Sequence, residues 1–139
     1  MSEADLLPAF VEGIFSGDKS DTDLIGSRCT TCGRYQFPHA DICPEDLSKT
    51  TRVSIGRTGT LYSYTVVRTK PPFGLPAPYA LGYVDLDDVG LRVLMLLDAA
   101  RIDDMRIGIP LRLTSDRMGV GLDGQICRRP FFTPADERN

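Results

Sequence analysis

Two kinds of pattern divide the chain. Between residues 5 and 16, Leu6, Leu7, Phe10, Val11, Ile14 and Phe15 recur at three- and four-residue spacing, which predicts a helix. Pro8 fits only the first turn of such a helix, and Gly17 marks its end. A helix this short needs tertiary contacts, so it either packs on its own domain or docks on a partner. From Arg52 onward the pattern turns to β. The run TLYSYTVVRT (60–69) is dense in β-branched and aromatic residues and free of Gly and Pro. Residues 79–86 and 91–98 predict two more strands, joined through Asp87, Asp88, Val89 and Gly90 as a hairpin. In RIDDMRIG (101–108), Ile102 and Met105 stand three apart before Gly108, which predicts one or two helical turns. Residues 111–118 and ICRRPFF (126–132) predict two final strands around the loop GVGLDG (119–124), before a polar tail. Three strands, a short helix and two strands is the element order of a five-stranded Greek-key OB barrel. The expected fold is mainly β: an N-terminal helical segment over 1–24, a metal-held ribbon over 25–50, and an OB-fold barrel with its tail over 51–139.

The ribbon expectation rests on CTTCGRYQFPHADICPEDL (29–47). Cys29 and Cys32 form a C-x-x-C knuckle, whose turn converges two thiolates on one side of an ion. Cys43 opens a second knuckle, and Asp46 stands where its closing cysteine belongs. A carboxylate oxygen can replace sulfur there. His39, the one histidine, and Cys127 compete as the fourth ligand, but Cys127, distant and on a predicted strand, reads rather as a small apolar residue of the barrel. A site without metal, its thiols packed as core, also stays open. Three thiolates and a carboxylate carry a formal charge of about −4, or about −2 around Zn²⁺, which Arg28 and Arg34 are placed to offset. A thiolate-rich set without a histidine base points to a structural ion rather than a catalytic one. Iron in a rubredoxin-like site would call for four sulfurs.

Signatures of stand-alone catalysis are missing. The sequence has no G-x-G-x-x-G, no phosphate-binding G-x-x-x-x-G-K-[ST] and no G-x-S-x-G. The acidic run at Asp85, Asp87 and Asp88 lacks the spacing of a calcium loop and reads as a solvated turn. Arg128 and Arg129 read as a solvated pair ahead of a phosphate site. KPPFGLPAPY (70–79) carries more information: four of the chain's ten prolines fall in it. Proline stiffens a loop, so apolar side chains can be displayed at low entropy cost. Lys70, Phe73, Leu75 and Tyr79 are therefore expected to form a partner surface or the wall of a ligand channel. The competing expectation is a loop folded back over the barrel mouth.

Charge then narrows the partners. A net charge of −3 and 8% aromatic residues argue against a nucleic-acid-binding OB module and against an anionic membrane surface. MSEADLLPAF lacks a basic, apolar leader pattern and no run is long enough to span a bilayer, so the chain reads as cytoplasmic. In a reducing compartment C-x-x-C is a metal or redox site rather than a disulfide.

Taken together, CTTCGRYQFPHADICPED, GTLYSYTVVRT, PAPYALGYVDLDD, IGIPLRL and RRPFFTP resemble the small zinc-ribbon/OB-fold proteins associated with acyl-CoA metabolism, long catalogued as a domain of unknown function. The resemblance spans nearly the whole chain. It implies a rubredoxin-like zinc ribbon beside the OB-fold, with Cys29, Cys32 and Cys43 as the first three ligands to a structural zinc and Asp46 where the family usually has Cys. It further implies a non-catalytic accessory subunit of a thiolase-fold enzyme. The partner carries the catalytic groups, and the small subunit helps shape the channel for a CoA thioester, from acetoacetyl-CoA to steroid-type or benzoylsuccinyl-CoA substrates. A stand-alone acyl-CoA carrier is the alternative. An iron electron-transfer protein is a more distant one.

Overall fold

The computed structural model describes residues 3–11 and 13–135; the tail beyond lies outside the described residues. Nine strands form two sheets: β1 (Phe15–Ser16), β2 (Asp23–Cys29), β3 (Tyr35–Gln36), β4 (Thr50–Gly56), β5 (Thr58–Val67), β6 (Tyr79–Leu86), β7 (Arg92–Leu97), β8 (Pro110–Val120) and β9 (Ile126–Pro134). The last five close into a barrel in the order β5-β6-β7-β9-β8. Every pairing is antiparallel except β7 with β9, which touch in parallel through Leu97 and Phe132. That connectivity is the OB-fold, with a 3₁₀ turn (Ala99–Asp104) at the predicted helix position.

Alternation along each strand explains closure. On β6, Ala80, Val84 and Leu86 point inward, and on β7, Val93, Met95 and Leu97 do so. Leu61, Leu111, Leu113 and Phe132 complete the core from the other strands. Met105, fully buried after the 3₁₀ turn, joins the same core. Asp98 caps that turn by accepting the Ala100 N–H at 3.0 Å, and its other oxygen accepts the Thr133 hydroxyl at 2.9 Å.

The second sheet is the ribbon. β2 is its spine, paired with β1, β3 and β4. The strand beginning near Arg52 therefore belongs to this sheet and not to the barrel, and the ribbon runs past residue 50 to Gly56. Arg57 alone separates β4 from β5. Its guanidinium donates to both Asp23 and Asp21, and these hydrogen bonds, Asp23 first, raise its pKa. Leu24 of β2 and Ile55 of β4, both fully buried, lie in the same core as the barrel side chains. Thr22 and Ser115 share a buried hydroxyl contact at 3.0 Å across the junction.

The helix expected over 5–16 is not formed. A single 3₁₀ turn spans Glu3–Leu6, and the chain then meets β9 through an isolated parallel bridge between Ala9 and Arg128. The Arg128 N–H donates to Pro8 O at 2.8 Å, and the Phe10 N–H to Arg128 O at 3.1 Å. Gly13 at φ 87° and the missing Pro8 donor interrupt any helix here, and strand pairing satisfies the backbone instead. The apolar residues serve this strap: Phe15 is buried beneath the Arg128 guanidinium, 4.9 Å from its ring centre. No helix among the described residues is long and apolar enough to cross a membrane.

Candidate metal centre

β2 ends at Cys29, and the turn beyond it forms the first knuckle. The Cys29 N–H donates to Arg34 O at 2.9 Å and the Gly33 N–H to Cys29 O at 3.2 Å. Gly33 sits at φ 78°, in the left-handed region that favours glycine. The segment 43–48 repeats this pattern. The Cys43 N–H donates to Ser48 O and the Leu47 N–H to Cys43 O, both at 2.8 Å. Leu47 takes the place of Gly33 and shares its backbone, at φ 63°. Asp46 thus occupies in the second turn the position that Cys32 occupies in the first.

The two turns bring Cys29, Cys32, Cys43 and Asp46 together, their ligand atoms all within 4.8 Å of one another. Cys32 Sγ and Cys43 Sγ are 3.8 Å apart, and Cys29 Sγ lies 3.5 Å from each Asp46 oxygen. Tetrahedral bonds of about 2.3 Å to sulfur and about 2.0 Å to oxygen put sulfurs about 3.8 Å apart and sulfur about 3.5 Å from oxygen. The donor set fits zinc in both chemistry and size.

Backbone donors tune the cluster. The Cys32 and Thr31 N–H groups each reach Cys29 Sγ at 3.4 Å, and the Cys32 N–H is the main cause that lowers the Cys29 pKa, against desolvation. For Cys32 the Arg34 N–H pulls downward, but desolvation and the Cys29 and Cys43 sulfurs together hold the thiol above its usual value. The Ser48 N–H donates to Asp46 Oδ1 at 2.9 Å and lowers that carboxyl, with Cys29 adding to the effect. Cys29 and Cys43 are buried, whereas Cys32 is exposed. Among the described residues neither His39 nor Cys127 joins the group. Cys127 is buried in β9 with its thiol 3.7 Å from Met118 O, the small core residue its strand position implied.

The other singled-out residues fall elsewhere. Lys70 and Phe73 are exposed, Tyr79 is half-buried and opens β6, but Leu75 is buried. Leu75 packs where a side chain on Gly119 would stand, and the Val120 N–H donates to Phe73 O at 2.7 Å, so the loop is clipped to β8. None of these four lines a groove of about 740 Å³. Gly74, Pro76, Ala77 and Pro78 of the same loop do, opposite Ala99, Met118 and Phe131. The arginine pair is not solvated. Arg128 donates to Gly17 O and Ser115 Oγ, and Arg129 is buried. Asp85 is the partner of Arg92, whose guanidinium hydrogen bonds hold its carboxyl below the usual range. Sequence spacing missed the role of Leu47, since nothing in C-P-E-D-L marks a left-handed leucine.

Comparisons with known proteins agree with this geometry. Family models describing the ChsH2 rubredoxin-like zinc ribbon domain and the ChsH2 C-terminal OB-fold domain match residues 20–52 and 52–116. A DUF35 domain-containing scaffold protein of Methanocaldococcus jannaschii is 32% identical over 117 residues, covering 81% of this chain and 82% of that protein. A scaffold protein of the same description from Methanothermobacter thermautotrophicus is 34% identical over 116 residues, covering 81% and 86%. The benzoylsuccinyl-CoA thiolase subunit BbsA of Thauera aromatica is 35% identical over 86 residues, 58% of each chain. Among solved structures, a chain of the Ltp2-ChsH2(DUF35) aldolase superposes with a TM-score of 0.64 at 29% identity, over 82% of this chain and 86% of that one. A ribbon with paired knuckles, a closed OB barrel and relatives matched over most of their length place the chain in the DUF35 family of ChsH2-like zinc-ribbon and OB-fold scaffold proteins.

Proposed function

We propose that this chain is a non-catalytic accessory subunit of a thiolase-like acyl-CoA enzyme in the cytoplasm. It would hold a structural zinc through Cys29, Cys32, Cys43 and Asp46 and help to shape the acyl-CoA channel of the complex. The observation that carries the reading is the match, across ribbon and barrel together, to a chain of an aldolase complex and, over a shorter span, to a named thiolase subunit. Zinc would supply fixed cross-linking charge between the two knuckles, taking the place of a hydrophobic core that the segment 29–49 is too small to build. The chain's own part is positional. The proline-rich loop, anchored by Leu75 and Gly119, displays Phe73 and offers Gly74 and residues 76–78 to the 740 Å³ groove. Lys70 at the start of the loop and Tyr79 at the start of β6 flank it, where a partner or an acyl-CoA would meet them.

Mild purification from native cells followed by native mass spectrometry tests this. A complex with a thiolase-sized second chain and one zinc per copy of this chain is expected, and Phe73→Ser should weaken that complex while the barrel stays folded. A lone chain without a partner would overturn the subunit reading. The same groove volume, within the range that takes small ligands, favours a stand-alone acyl-CoA carrier as the second reading. CoA-ester binding by the isolated chain, with no dependence on a partner, would select it.

A further inference from the structure

Arg129 is a buried cation with no carboxylate partner among the described residues. Its residue is 7% exposed, and its Nε and Nη2 donate to Met118 O at 3.1 Å and Val120 O at 2.8 Å. The Phe10 and Phe73 rings lie 4.3 and 5.7 Å from its Cζ. A guanidinium has five N–H donors, and among the described residues two of Arg129's are used, neither of them on Nη1. No ion pair involving it occurs among the described residues. No nitrogen of Arg129 is among the buried side-chain atoms without a partner, so the unbonded Nη1 keeps contact with solvent and is open to a ligand.

Arg129 also lines a groove of about 280 Å³ between the strap, the Phe37–Pro38 turn and the outer faces of β6 and β7. Every other lining residue is apolar, among them Phe10, Leu81, Leu94 and Leu96. Leu94 is half exposed at the rim. One cation in an apolar trough selects a monoanion, because a phosphate dianion would call for a second positive group. The planar fork of the guanidinium matches a carboxylate through paired hydrogen bonds. The volume lies just under the range for drug-sized ligands, so the apolar body is a single ring or a short chain.

We propose that Arg129 and this groove form a binding site for a small aryl or alkyl monocarboxylate. Its carboxylate takes the free Arg129 donors and its body rests on Leu81, Leu94 and Leu96. The site is separate from the knuckles and from the 740 Å³ groove, which shares none of these residues.

Phenylacetate is the probe, titrated into the isotope-labelled full chain with its zinc, and NMR is the readout. Saturable shifts are expected at the Arg129 side-chain N–H and at the Leu81, Leu94 and Leu96 methyl groups. Neutral phenylacetamide should bind at least tenfold more weakly. Leu94→Glu places a repelling charge at the rim and should weaken phenylacetate at least tenfold at an unchanged melting temperature. No saturable shift up to about 10 mM, where a millimolar Kd already shows, would overturn the site. So would equal binding of acid and amide, or shifts confined to other residues. If Leu94→Glu unfolds, the acid–amide comparison on the unaltered chain decides alone.

Discussion

At the scale of single residues, the second knuckle departs from the first at two neighbouring positions. Asp46 stands for cysteine and Leu47 for glycine. Leu47 is 78% exposed, so no burial offsets its left-handed backbone. That conformation costs an L-residue roughly 1–2 kcal/mol, against roughly 0.5–1 kcal/mol of extra chain entropy lost by glycine. Leu47→Gly is therefore expected to stabilise the zinc-loaded protein by about 0.5–1 kcal/mol, read as a higher melting temperature. A lower one would mean that the leucine side chain has a contact of its own. As the proposed fourth ligand, Asp46 is worth on the order of 3 kcal/mol, or roughly a hundredfold in affinity. Asp46→Ala should weaken zinc retention by about that factor in a chelator competition, and Asp46→Cys should strengthen it. Equal retention in all three proteins would remove Asp46 from the site.

At the scale of elements, the loop over 70–79 is the instructive case. Gly119, at φ 65°, lets β8 pass under it, and an added Cβ would stand 2.5 Å from Phe73 O. Gly119→Ala should break this clip and cost about 1–3 kcal/mol, with limited proteolysis now cutting between residues 70 and 79. An uncut loop at unchanged stability would show that the clip is not what holds it. The barrel strands were legible in the sequence, because period-two alternation with β-branched and aromatic residues has few other solutions. The knuckles were legible too, since C-x-x-C spacing encodes a turn. The strap was not. Its apolar spacing suits a helix, and only the free backbone edge of β9, supplied by residues more than a hundred positions away, draws it into extended pairing. The shared sheet of β2 and β4 was missed for the same reason, as register between distant strands is not written in either one. Leu75 looked like its exposed neighbours because a proline-rich run does not say which residue turns inward.

At the scale of the molecule, one core serves both sheets through Leu24 and Ile55, while the metal cluster lies five residues further along β2. Those steps span about 17 Å. Metal removal should therefore act locally. After chelation, hydrogen exchange is expected to rise steeply over 29–49, while amides near Leu24, Ile55 and the barrel keep their protection. Equal loss of protection throughout would mean that the ion holds the whole fold.

The single residue between β4 and β5 has a consequence for how such a chain can change over generations. Arg57, pinned by Asp21 and Asp23, joins two strands whose side-chain faces are both committed to one core. Adding or losing one residue within β2 or β4 turns every later side chain to the opposite face and drives Ile55 out. Hairpin tips such as those around Gly90 and Gly124 carry no such register constraint, although the positive φ of both positions still favours glycine. Descendants of this chain are free to vary the tips, while the distance from knuckles to barrel is passed on as a fixed length.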